Sequence, residues 1–280
     1  MNLFLSAVVG LMVGFHNATW GMYKDAPHEG FKSSIYFRSV IAGLVYGILL
    51  QYLFRLDLSE AANLFILFGS AYALERITME VYKTFIRVED QSKYFIPMQL
   101  SVFGKPVESY SLRLFYGLLY ILVLALISYG IYNLNIKYHS GTLNVSPFLI
   151  LLPCSVFGWV SAFGGAWKDA PLEGFETFKF FRSPGVAYFY AFLASLFTNN
   201  LLIISMCSIG FTIASIETYK TFFFLDKPRG KFQGKPISYP SALTFRKKFI
   251  PLYVIIWIGV ISFMIFGLMN RPENLMSGII

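Results

Sequence analysis

Two copies of one polar segment carry most of the charged residues that could do chemistry in this chain. Residues 23–39 read YKDAPHEGFKSSIYFRS, and residues 167–184 read WKDAPLEGFETFKFFRSP, at an offset of 144 residues. Carboxylate oxygens hold Mg²⁺, and Lys and Arg side chains hold phosphate oxygens. Because both groups occur in both copies, the sequence indicates a site for a phosphate-bearing lipid or nucleotide, with Mg²⁺ as its cofactor.

The candidate site extends to repeated residues farther along the chain. Glu80 and Lys83 match Glu217 and Lys220 at an offset of 137, and residues 104–106 match residues 234–236 (Gly-Lys-Pro) at an offset of 130. The predicted phosphate-binding residues are Lys24, Arg38, Lys83, Lys168, Arg182 and Lys220. The predicted metal ligands are Asp25, Glu29, Glu80, Asp169, Glu173 and Glu217.

The same residues also fit a purely structural interpretation. Residues 25–27 (Asp-Ala-Pro) have the composition of a turn. Ser183-Pro184 resembles a helix N-cap followed by a first-turn proline. Each repeated glutamate would pair with the lysine three residues after it. The sequence leaves both interpretations open.

The composition places the chain among membrane proteins. Hydrophobic residues make up 56% of it, charged residues 14%, and the mean hydropathy is +0.59; soluble domains carry about 25% charged residues. Four apolar runs reach the roughly 20 residues that cross a bilayer: 2–21, 114–134, 148–167 and 249–269. Four shorter runs form two pairs, 40–54 with 61–74 and 186–198 with 201–215. We expect an all-α integral membrane protein with about eight transmembrane helices.

The repeat predicts how these helices are arranged. Residues 1–140 and 141–280 would each form a four-helix unit, and an even number of spans gives both units the same orientation. We therefore expect two tandem parallel repeats related by a pseudo-two-fold axis along the membrane normal.

The distribution of positive charge predicts the orientation. If the two Lys-Asp-Ala-Pro segments share one side, 20 of the 23 Lys and Arg residues lie there, and only Arg55, Lys137 and Arg271 lie opposite. By the positive-inside rule that side is cytoplasmic and both termini lie on the other.

Three function classes remain at the level of sequence. The first is a protein with a cytoplasmic-face phosphate site, including a Mg²⁺-dependent lipid-metabolising enzyme. The alternatives are a non-catalytic subunit of a larger membrane complex and a small-solute transporter. Expected partners are anionic lipid headgroups and other membrane subunits. Nucleic acid is not expected, because attraction to anionic lipid accounts for the basic loop 227–248. His16, which aligns with Val160, is predicted to be a core histidine bonded to a neighbouring helix.

Overall fold

The computed structural model describes residues 1–91, 97–223, 234–270 and 274–277, without the side chains of Leu172 and Glu173. Arg271, part of the loop 227–248 and the side chain of Glu173 therefore lie outside the described residues. The described α-helices are α1 Asn2–Glu29, α2 Ser33–Phe54, α3 Ala61–Val81, α4 Tyr110–His139, α5 Pro147–Cys154, α6 Val156–Glu173, α7 Thr177–Ser195, α8 Leu201–Phe222, α9 Pro240–Phe245 and α10 Ile250–Met269. A π-helical turn, Tyr82–Ile86, extends α3, and a 3₁₀ turn, Arg246–Phe249, joins α9 to α10.

Six stretches are long and apolar enough to cross a membrane. They are α1, α2, α4, α8, the α5–α6 run Pro147–Pro171 and the α9–α10 run Pro240–Met269. These helices support the expected all-α integral membrane protein. The helices α3 and α7 are not among the six, so the count of eight spans stays a prediction. Much of α3 is buried inside the bundle.

The centre of the molecule is the crossing of α3 and α8. A Cβ atom placed on Gly210 would lie 1.8 Å from the carbonyl oxygen of Gly69, so the two backbones touch there. Phe65 of α3 stacks on Phe211 of α8 with ring centroids 4.3 Å apart. Small residues at a helix crossing allow this close approach within a membrane.

The first two helices are packed by the same principle. Gly10 and Gly14 of α1 face Gly43 and Gly47 of α2, two small-residue pairs each spaced four apart. A Cβ atom on Gly43 would lie 2.5 Å from the backbone nitrogen of Gly14. The α1–α2 hairpin is therefore a close-packed unit on one side of the α3–α8 centre.

The Asp-Ala-Pro segments are helical, so the prediction that they form turns is wrong. Residues 25–27 lie in the last turns of α1, which ends at Glu29 and is followed by Gly30 with a φ of 80°. Proline has no N–H to donate to the carbonyl four residues before it. For Pro27 that carbonyl belongs to Tyr23, and it accepts a hydrogen bond from Nη1 of Arg246 at 3.1 Å instead.

Two helix boundaries also differ from the sequence prediction. Ser183-Pro184 lies inside α7, which begins at Thr177, so it does not open the helix. The apolar run 148–167 is divided at Ser155 into α5 and α6. Pro153 weakens the helix there because it removes one backbone hydrogen bond and crowds the preceding turn.

A two-stranded hairpin holds the loop between α3 and α4 against α6. Strand β1, Ser101–Val102, pairs with β2, Lys105–Pro106, through a turn in which Phe103 and Gly104 both have positive φ. Nε1 of Trp167 on α6 donates to the carbonyl of Ser101 at 2.9 Å. This contact places the repeated Gly-Lys-Pro piece of the first half beside the second half of the chain.

Candidate ligand site

Two ion pairs connect the halves of the chain in a reciprocal way. Nζ of Lys24 lies 3.4 Å from Oε2 of Glu217, and Nζ of Lys168 lies 4.0 Å from Oε2 of Glu80. In the sequence Lys24 aligns with Lys168, and Glu80 aligns with Glu217. Each half therefore supplies the lysine for the other half's glutamate, which brings the carboxyl ends of α1, α3, α6 and α8 together at one end of the bundle.

The two glutamates have different surroundings. Glu217 also accepts a hydrogen bond from Nζ of Lys220 at 3.1 Å, which confirms that predicted pair. The side chains of Glu217 and Lys24 are each 13% exposed, whereas that of Glu80 is 42% exposed. Glu80 pairs with Arg76, one helical turn before it. The Lys24–Glu217 pair is therefore largely enclosed, whereas its counterpart Lys168–Glu80 is about one-third to two-fifths exposed.

A cavity of about 810 Å³ adjoins these ion pairs. Helices α3, α4, α6, α7 and α8 and the β1–β2 hairpin form its walls. One part is apolar and includes Leu119 and Val123 of α4, Val160 of α6, and Ile209 and Ile213 of α8. The other part is lined by the charged residues Arg76, Glu80, Lys168, Asp169, Glu176, Lys179, Arg182, Glu217 and Lys220. The cavity is thus amphipathic, with a charged end and apolar walls.

Arg182 is the cation at this end that is best placed to receive a ligand. It lines the cavity on α7, and its Nε is buried with no hydrogen-bond partner among the described residues. A guanidinium offers several donors in a fixed plane and binds phosphate oxygens well. An anionic group in the cavity could accept from Arg182 without breaking a described ion pair.

The corresponding residues of the first half surround a much smaller space. Asp25, Glu29, Arg38 and Lys83 line a cavity of about 90 Å³, which is room for a few water molecules. The guanidinium of Arg38 lies over the ring of Tyr82, 4.8 Å from its centroid. The structure therefore brings the predicted residues together in two sets, and only the second set borders a cavity large enough for an organic ligand.

The described residues do not assemble a metal site. Among them no group of three His, Cys, Asp or Glu side chains converges as a metal would require. Glu80 and Glu217, two of the predicted ligands, are already paired with cations. The side chain of Glu173, a third, lies outside the described residues. The involvement of Mg²⁺ stays a prediction.

An aromatic cluster between α1, α3, α8 and α10 was only partly anticipated. His16 is fully buried, and its Nδ1 lies 2.9 Å from the hydroxyl of Tyr72, which confirms the predicted core histidine. Its ring stacks on Tyr253 at 4.1 Å. Thr218 bonds the hydroxyl of Tyr253 at 2.9 Å and accepts from Nε1 of Trp257 at 3.1 Å. The sequence signal for this cluster was the presence, within apolar helices, of several aromatic residues that each carry a polar atom.

Comparison with known proteins gives no family for this chain: it matches no family model, no curated protein and no solved structure.

Proposed function

We propose that the charged end of the large cavity binds the phosphate group of a lipid or nucleotide at the cytoplasmic face of the membrane. The observation that carries the proposal is the meeting of three repeated cations, Lys168, Arg182 and Lys220, at one end of a ligand-sized cavity. Its volume lies within the roughly 300–1,000 Å³ typical of small-molecule sites. The proposal concerns binding and assigns no chemical step.

The charge at this end suits a phosphate. The charged residues lining the cavity, together with Lys24, comprise six cations and four carboxylates, an excess of two positive charges. A phosphate monoester carries about −1.5 to −2 near neutral pH. A ligand of this charge would neutralise the excess. It could also accept a hydrogen bond from Arg182, whose Nε has no partner among the described residues.

The proposed architecture is two parallel four-helix repeats, with the two Lys-Asp-Ala-Pro segments on the cytoplasmic side. The reciprocal ion pairs support it, and so does a second aligned pair of contacts. The hydroxyl of Tyr46 lies 2.6 Å from Oγ1 of Thr78, and the hydroxyl of Tyr190 lies 2.5 Å from Oγ of Ser215. Tyr46 aligns with Tyr190 at an offset of 144, and Thr78 with Ser215 at 137. The same contact thus joins the second and third helices of each half.

Binding to the protein in nanodiscs tests the phosphate site, with phosphatidic acid and ATP as the two probes. Arg182→Gln should weaken binding of at least one probe about tenfold, the effect of losing a charge-assisted hydrogen bond of about 1.5 kcal/mol. Arg55→Gln removes the same charge from an exposed position in the α2–α3 loop and should leave binding within about twofold of wild type.

The decisive result concerns the repeated cations. If the Arg182→Gln and Lys220→Gln variants both bind phosphatidic acid and ATP as the wild type does, the proposal of a phosphate site is wrong. The alternatives, a structural subunit and a small-solute transporter, stay predictions.

A further inference from the structure

We propose that the large cavity holds the hydrocarbon chain of a phosphate-bearing membrane lipid, at a single site in each protein chain. This inference rests on the proposed phosphate site and narrows its ligand from two classes to one, a lipid instead of a nucleotide. It also states that the duplicated chain has one such site and not two.

The depth of the cavity corresponds to one leaflet of a bilayer. Along α8 its lining runs from Lys220, at the charged end, to Ile209, a distance of about 16 Å at 1.5 Å per residue. The hydrocarbon core of a bilayer is about 30 Å thick, so one leaflet contributes about 15 Å. A lipid whose phosphate meets Arg182 would therefore place its acyl chain along the apolar walls down to the middle of the membrane.

The apolar walls argue against a nucleotide. The ribose and base of a nucleotide present polar groups that would need hydrogen-bond partners, whereas the walls beyond the charged end include Val123, Val160 and Ile213. Hydrocarbon satisfies such walls and leaves no polar group unpaired.

The flanking helices leave a side of the cavity to the membrane. Helices α4 and α6 both line it, yet in the described part of the chain they make no extended contact with each other. Tyr116 and Leu119 of α4, and Gly164 and Gly165 of α6, are exposed residues of the lining. A lipid chain can enter between these two helices directly from the bilayer.

The first half of the chain fills the equivalent space with its own side chains. Four residues that line the cavity are Val160, Gly164, Ile209 and Ile213. At the aligned positions the first half has His16, Trp20, Tyr72 and Arg76, all buried.

Bonds among these larger side chains hold them in place. The hydroxyl of Tyr72 meets Nδ1 of His16 at 2.9 Å and Nε1 of Trp20 at 3.0 Å. The ring of Trp20 also lies under the guanidinium of Arg76, 4.9 Å from its centroid. The smaller residues of the second half open the volume that the larger side chains close in the first, which is why we assign one lipid per chain.

A cross-linking experiment locates the acyl chain. The probe is phosphatidic acid with a diazirine near the middle of one acyl chain, added in trace amounts to nanodiscs that contain the protein. The expected cross-links fall on the cavity faces of α4 and α6, near Leu119, Val123 and Val160. Native mass spectrometry should show one retained probe for each chain.

A pair of tryptophan variants tests the cavity itself. Gly164→Trp introduces the residue that the first half has at the aligned position, and the Gly164 Cβ site has no heavy atom within 4 Å. It should lower cross-linking to the cavity faces at least tenfold. Gly130→Trp adds the same side chain at an exposed position of α4 that is also open and does not line the cavity, and it should stay within about twofold of wild type.

The outcomes separate this inference from the proposed function. If wild-type protein captures phosphatidic acid no better than diacylglycerol carrying the same diazirine, which has no phosphate, the phosphate site fails and the inference fails with it. If Arg182→Gln weakens capture but Gly164→Trp does not, and labels fall on the exposed α10 face near Ile255 and Ile258, the phosphate site stands and the inference is wrong. Displacement of the lipid probe by ATP, with Gly164→Trp without effect, would likewise overturn the lipid assignment.

Discussion

At the scale of single residues, positions that carry the same residue in both halves of the sequence lie in unequal surroundings. Glu217 is nearly enclosed and pairs with Lys24 and Lys220, whereas its counterpart Glu80 is 42% exposed and pairs with Arg76 and Lys168. A buried ion pair that loses one partner leaves an uncompensated charge, whereas an exposed pair is largely replaced by water. The two glutamates should therefore respond differently to the same substitution.

Glu217→Gln should lower the free energy of unfolding by about 3 kcal/mol, because Lys24 and Lys220 lose their buried counter-charge. Glu80→Gln should lower it by only about 1 kcal/mol, because Glu80 is 42% exposed and its buried partner Arg76 keeps the nearby carboxylate of Glu75. Heat-induced unfolding of the lipid-free protein in a mild detergent measures both. Equal losses for the two variants would show that Glu217 is not buried in the way described.

The aromatic cluster supports a second prediction at this scale. Tyr72→Phe removes a hydroxyl that bonds both His16 and Trp20, so two buried groups each lose one hydrogen bond, although Nε1 of Trp20 still donates to Oδ1 of Asn17 at 3.2 Å. We expect a loss of about 2 kcal/mol, at the upper end for hydrogen bonds inside a membrane protein. Tyr190→Phe removes a hydroxyl whose hydrogen bond within the described part of the chain is to Ser215 alone, and about 0.6 kcal/mol is expected. The same thermal measurement in detergent compares them, and a Tyr190→Phe loss equal to or larger than that of Tyr72→Phe would contradict the assignment.

The sequence predicted some of these residues and not their pairing. The duplicated charges identified Lys24, Lys168, Glu80 and Glu217 as a set, because the chain repeats them at fixed offsets. That each lysine pairs with the glutamate of the other half was not predictable, since the local sequence pattern does not show which helices are in contact. The role of Trp20 was missed for the same reason: its partner Tyr72 lies 52 residues away.

At the scale of helices, glycine positions decide which elements can be neighbours. The α3–α8 crossing depends on Gly69 and Gly210, where the two backbones are in contact. Other glycines of the chain, such as Gly130 and Gly164, face open space. The contribution of a glycine to the stability of this fold therefore depends on whether another helix crosses at that residue.

Gly210→Ala should destabilise the protein by about 3 kcal/mol or more, because the added methyl group would lie 1.8 Å from the carbonyl oxygen of Gly69 and must force α3 and α8 apart. Gly130→Ala adds the same methyl group in open space and should be neutral or slightly stabilising. The folded fraction after size-exclusion chromatography and the thermal midpoint in detergent report both. A Gly210→Ala protein that matches Gly130→Ala in the two measurements would disprove the close crossing.

Helix existence was easier to predict from the sequence than helix ends. The apolar runs gave the positions of the long helices because bilayer thickness fixes their length. The predicted helix ends were wrong where proline was taken to mark a turn or the start of a helix, because Pro27 and Pro184 lie inside helices. A tertiary donor, Arg246, satisfies the carbonyl that Pro27 leaves free, and no local pattern could have shown it.

At the scale of the whole molecule, two similar halves meet at α3 and α8, exchange ion pairs at one end, and enclose cavities of very different volume. The reciprocal contacts Lys24–Glu217 and Lys168–Glu80 require the two Lys-Asp-Ala-Pro segments to lie at the same end of the bundle. An inverted repeat would separate them by the thickness of the membrane. The charge distribution further predicts that this end faces the cytoplasm.

The parallel arrangement can be tested with single cysteines at exposed positions. Lys32 and Glu176 are aligned at an offset of 144, both are exposed, and both follow a Lys-Asp-Ala-Pro segment; Lys137 is exposed at the far end of α4. Background should be low because the native Cys154 and Cys207 are buried. In intact cells, a membrane-impermeant maleimide should label Lys137→Cys at once, and Lys32→Cys and Glu176→Cys only after permeabilisation.

Labelling of all three in the reverse pattern would keep the parallel repeat and invert its orientation, which would move the proposed phosphate site to the outer face. Labelling of Lys32→Cys and Glu176→Cys from opposite sides would exclude the parallel repeat, because no rotation about the membrane normal exchanges the two faces.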